Sequence, residues 1–101
     1  MTGAGDSGEA MLRERVRVPE HVVYRDFGDE TVILNLRSGT YHGLNHTAAV
    51  MLSALGESDS VAAAVDRLAS ELGQDRDLIE RDVLSLCHAL SERSLIERDA
   101  G

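Results

Sequence analysis

The sequence has 101 residues, room for one domain with one modest core, and 43% of them are hydrophobic, which is ordinary for a globular chain. Eighteen acidic residues stand against ten arginines and no lysine, a net charge of -8, so no face able to neutralise several phosphates is evident and nucleic acid and anionic membrane are poor partners. One cysteine excludes an internal disulfide framework, and no apolar run resembles a membrane span or a secretory signal, so the expected location is cytoplasmic.

Along the chain, Met1 to Ala10 is rich in small and acidic residues without periodicity, and residues 1–15 are read as a disordered tail preceding a domain over 16–98. Met11 to Val18 interleaves Arg13, Arg15 and Arg17 with Leu12, Val16 and Val18, the pattern of a short solvated extended lead-in before Pro19. His21 to Phe27 collects Val22, Val23, Tyr24 and Phe27 into a first strand, closed by a turn at Gly28-Asp29. From Thr31, apolar Val32, Leu34 and Leu36 alternate with Thr31, Ile33 and Asn35, the period of a strand with at least one buried face. Arg37-Ser38-Gly39 supplies a tight reversal, since Gly39 can adopt a positive φ, and Thr40 to Leu44 returns antiparallel. The three strands form a meander.

The remainder is helical. Asn45 is an N-cap for a helix with Ala48, Met51, Leu52 and Leu55 on one stripe. Gly56 to Ser60 interrupts, and Ser58 or Ser60 caps a second helix with Val61, Val65, Leu68 and Leu72, ended by Gly73. Asp77 with Glu80 three residues on resembles a capping box opening a third helix, whose stripe is Ile79, Val83, Leu86 and Leu90. Leu95 and Ile96 fold the end of the chain back onto the body. The fold class is α+β, a three-stranded antiparallel sheet followed by three helices.

Catalytic chemistry has little to work with. His21, His42, His46, His88 and Cys87 form no doublets at zinc spacing, and the adjacent Cys87 and His88 diverge by about a hundred degrees around a helix. Acidic pairs such as Asp29/Glu30 and Asp75/Asp77 fall at turns and caps, and no glycine-rich phosphate loop is present. The expectation is a protein that is not an enzyme and holds no metal or cofactor. What remains is a binding surface. The first strand is guarded by Pro19, Arg25, Asp26, Asp29 and Glu30, whereas Thr40, Tyr41, His42, Gly43 and Leu44 carry no formal charge and no proline, so the third strand reads as an open edge. On the third helix, Leu84 lies off the core stripe with Cys87, His88 and Ser91 on the intervening flank, a candidate second wall for a groove.

The run VVYRDFGDETVILNLRSGTYHGLN, then TAAVMLSAL, DRLASEL and HALSERSLI, resembles the PqqD-like domains of ribosomal peptide biosynthesis, also called RiPP recognition elements. Within that family the free-standing chain is similar to the discrete recognition proteins of actinobacterial lasso peptide clusters. The resemblance implies a winged helix-turn-helix-like fold that does no chemistry. It binds the leader of a precursor peptide, added as a strand beside the third strand and lying against the third helix. Carried onto this sequence, the leader-binding residues are Thr40, Tyr41, His42, Gly43 and Leu44, with Glu80, Leu84, Cys87, His88 and Ser91 from the helix. The implied partners are the precursor leader and a leader peptidase. The alternatives are an accessory chaperone for a radical-SAM or other RiPP-modifying enzyme, or a winged-helix DNA binder, which Asp77, Glu80 and Asp82 around Arg76 and Arg81 disfavour. A peptide-free homodimer through the third strand is a further possibility.

Overall fold

The computed structural model describes residues 9–100. A helical turn over 9–13 leads directly into β1 (Glu14–Arg17). β2 (Val22–Asp26), β3 (Thr31–Asn35) and β4 (Tyr41–Leu44) follow, then α1 (His46–Glu57), α2 (Val61–Leu72), α3 (Arg76–Glu92) and β5 (Glu97–Ala100). The lead-in is thus helical in its first half and extended only from Glu14, with ordered elements beginning before residue 16. The expected tail over 1–8 lies outside the described residues.

The meander forms as expected, in the order β2-β3-β4 with both pairings antiparallel. Its buried face is the one carrying Ile33 and Asn35, while Leu36 is 60% exposed and Val32 and Leu34 are only half-buried. A period of two announces a strand without saying which side faces the core. Here a polar residue decides: the Asn35 amide donates to the Ser94 carbonyl at 2.7 Å, and its oxygen accepts the backbone N–H groups of Arg37 and Ser38. Buried polar groups persist where their bonds are made, and Asn35 makes three.

The β3–β4 reversal closes with Asn35 N–H donating to the Thr40 carbonyl and Gly39 N–H to the Asn35 carbonyl, Gly39 standing at φ 78°. The hairpin is then fastened to the end of α3. Asn35 holds Ser94, a non-glycine residue at φ 57°, and the Thr40 hydroxyl donates to the Arg93 carbonyl at 2.6 Å. A left-handed serine costs on the order of 1–3 kcal/mol, and the Asn35 bond offsets part of that. The turn at Ser94 sends Leu95 and Ile96 into the core, where they are buried as expected.

The helices begin where the caps place them. Asn45 accepts from Ala48 N–H and Ser60 from Ala63 N–H, and Gly73 ends α2 at φ 62°. α3 is capped by Asp75, which accepts from Asp77 N–H, so the cap lies two residues before the Asp77/Glu80 box. Leu72, the last residue of α2, is 39% exposed, because the helix ends there before a further turn can cover it.

One element was absent from the sequence reading. β5 pairs antiparallel with β1, joining Glu14 to Ala100 and Arg17 to Glu97, in a ribbon separate from the meander. Charges of opposite sign meet across it: Arg17 pairs with Glu97, and Arg98 stands 3.5 Å from Glu14. Such cross-strand pairs favour one register, and Val16, 1% exposed, anchors the ribbon to the core. The elements keep the expected α+β order, with the ribbon added.

Candidate functional site

β4 ends the sheet, and among the described residues no strand pairs its far side. Which backbone groups face outward follows from the hairpin. In an antiparallel pair, residues that exchange hydrogen bonds alternate with residues that do not. Since Asn35 N–H bonds the Thr40 carbonyl, Ile33/His42 and Thr31/Leu44 are the bonded pairs, and the N–H and C=O of Tyr41 and Gly43 point away from β3. These two residues present the unpaired edge.

Beside it lies an open cavity of about 360 Å³. Its walls are His42 from β4, Asn45, Thr47, Ala48 and Met51 from the start of α1, and Asp82, Ser85, Leu86 and Ala89 from α3. The α3 residues recur at i, i+3, i+4 and i+7, one stripe of one helix. The groove exists because the Asn35–Ser94 and Thr40–Arg93 bonds fix how far β4 stands from α3, while Ser85 and Ala89 are too small to fill the gap.

The five α3 residues expected at the site lie on the other flank of the core stripe Ile79, Val83, Leu86 and Leu90. Glu80 is half-buried and accepts from Arg76 at 2.7 Å. Leu84 is half-buried against the core. Cys87 is fully buried, and burial pushes its thiol up to about 11, with Arg98 nearby acting in the opposite sense. His88 is exposed, 3.4 Å from Glu92, and lines a different cavity with Ala10, Met11, Glu14 and Arg98. Ser91 keeps a buried hydroxyl without a described partner. Glu14 and Arg98 belong to the ribbon, so the ribbon lies beside the Cys87–His88 part of the flank that the helical wheel offered as a groove wall. Of the expected β4 residues, Tyr41 and Gly43 alone present outward backbone groups, while Thr40 bonds Asn35, His42 bonds Ile33 and turns its side chain into the groove, and Leu44 is buried beneath the edge.

The edge is also less neutral than its own residues suggest. Glu30, in the turn before β3, lies over Gly43, and a Cβ built on that glycine would stand 2.8 Å from Glu30 Oε2. Glu30 and Gly43 share the solvent face of the sheet with Val32, the partner of Gly43. Sequence reasoning placed Glu30 as a guard on the opposite edge. The alternation of faces along β3 is the signal that carries it across to β4.

Among the described residues no three His, Cys, Asp or Glu side chains are grouped as a metal site requires, and no helix is long and apolar enough to cross a membrane. A strand meander with a vacant edge, three capped helices and a groove between them define a small α+β recognition domain. Residues 30–96 match the family described as Coenzyme PQQ synthesis protein D (PqqD), and the chain belongs to that family as a PqqD-like RiPP recognition element. Two solved structures are similar to it. One is TbiB1 in complex with the TbiA(beta) leader peptide, 33% identical, covering 80% of this chain and 94% of that one with a TM-score of 0.68. The other is a lasso peptide synthetase B1 complexed with the leader peptide, 30% identical, covering 82% and 98% with a TM-score of 0.71. A search of curated proteins by sequence found no match.

Proposed function

We propose that this chain binds the leader of a ribosomally made precursor, that of a lasso peptide, as an added strand on β4. The observation that carries the reading is the vacant Tyr41/Gly43 edge running beside the groove between β4 and α3. The leader-bound state of both similar structures supports it. The helix wall of the site is then Asp82, Ser85, Leu86 and Ala89, in place of Glu80, Leu84, Cys87, His88 and Ser91.

Magnitudes define what the groove contributes. Four outward backbone groups give at most about four ladder bonds, each worth roughly 0.5–1.5 kcal/mol net. Association costs an estimated 4–15 kcal/mol, so main-chain pairing alone does not hold a peptide. A strand on this edge turns alternate side chains into the groove, and each apolar anchor buried against Ala48, Met51, Leu86 and Ala89 adds about 1.5–3 kcal/mol. The ladder supplies direction and the anchors supply selectivity.

The chain contributes no chemical step. By holding the leader it raises the effective concentration of the precursor at a partner enzyme, a leader peptidase, and so accelerates processing. Fluorescence anisotropy with the labelled leader of the cognate precursor, beside a labelled DNA duplex, tests the reading. Saturable binding of the peptide and not the duplex is expected. A folded chain that ignores the leader refutes the reading, and one that prefers the duplex replaces it.

A further inference from the structure

The carboxylate over Gly43 bears on which peptides the edge accepts. Paired residues on neighbouring strands put their side chains on the same face of a sheet. A strand added to β4 therefore carries one residue directly opposite Gly43, its side chain on the solvent face. Gly43 offers that side chain nothing of its own, and the space a Cβ would take is filled by the Glu30 carboxylate, 2.8 Å from the position of that atom. Opposite residues have Cβ atoms about 4.5–5.5 Å apart, well within the span of a lysine or arginine. Among the described residues Glu30 has no cationic partner. Arg25 lies in the same cross-strand row, opposite Val32, but its guanidinium turns to the Tyr24 carbonyl at 3.4 Å. The chain as a whole carries a net charge of -8, the same sign as Glu30.

We propose that Glu30 is a specificity-determining residue, selecting a basic side chain at the leader position opposite Gly43. This rests on the strand-addition reading above and adds the charge of one register position to it. The glycine is part of the device: any side chain at position 43 displaces the carboxylate from the edge.

The probe is the fluorescein-labelled leader of the cognate precursor, with a panel in which each lysine or arginine is changed singly to glutamine. Glu30→Gln weakens binding about two- to fivefold at low salt, the range of an exposed ion pair, and the difference shrinks at high salt through screening. One peptide substitution, and only one, is silent against Glu30→Gln, since its partner is already gone. Glu30→Lys is rescued by glutamate at that same peptide position. Arg25→Gln leaves the affinity unchanged. If the wild-type chain binds the leader but Glu30→Gln does not alter the affinity, or every peptide substitution adds independently, the proposal is overturned while strand addition stands. A wild-type chain that does not bind the leader overturns both.

Discussion

Replacing Gly43 by proline removes a single backbone donor from the vacant edge and, like any side chain there, displaces the Glu30 carboxylate. The Gly43 N–H points away from β3, so the β3–β4 ladder keeps its bonds at His42 and Leu44, and an edge strand tolerates proline where the N–H faces solvent. A bound strand loses one ladder bond and keeps a carbonyl without a partner, a penalty of about 1–3 kcal/mol. A central value of about 2 kcal/mol corresponds to roughly thirtyfold weaker binding. Gly43→Ala is the control: it keeps the donor and asks only that the flexible end of Glu30 move, so its loss matches that of Glu30→Gln, about two- to fivefold. His42→Pro is the converse, because that N–H bonds Ile33, and it lowers the melting temperature. Anisotropy titration gives the affinities and circular dichroism the folded state. A folded Gly43→Pro variant that binds as well as Gly43→Ala refutes the assignment of outward groups.

The two flanks of α3 separate in the same titration: Ser85→Trp fills the groove and weakens leader binding at least about tenfold, the worth of one lost anchor, whereas His88→Ala on the ribbon side leaves it unchanged. Asn35→Ala orphans the Ser94 carbonyl and removes one of the two bonds that fasten the hairpin to α3, lowering stability in urea denaturation by about 2–3 kcal/mol. Cys87 sets an alkaline limit. Its thiol titrates near 9.0 when unfolded and about 11 when folded, so the folded state holds the proton more tightly. The stability this contributes, on the order of 3 kcal/mol, is complete below pH 9 and is lost as pH rises through 11. Cys87→Ala flattens that part of the urea midpoint against pH, and a wild-type profile that matches the variant's refutes the linkage.

The parts of the site made by neighbours in sequence were legible. Gly39 and the uncharged Thr40–Leu44 run gave the hairpin and its open edge, and Asn45, Ser60 and Gly73 gave the helix ends. What depended on distant partners was not. The face of β3 that is buried turns on a bond from Asn35 to Ser94, 59 residues away, and no local pattern reports it. The groove-facing side of α3 turns on the β1–β5 ribbon, whose strands are separated by the whole domain. Their opposite charges, Arg17 against Glu97 and Glu14 against Arg98, were visible but could not be joined without the fold. Once that ribbon claims the Cys87 and His88 flank, Asp82, Ser85 and Ala89 are left to face β4.

The ribbon has one more consequence. Because Glu14 sits opposite Ala100, the first residue of β1 and the last of β5 meet at a single spot, on the side of α3 turned away from β4. A cargo protein joined after β5 hangs from that one spot and leaves the vacant β4 edge unobstructed.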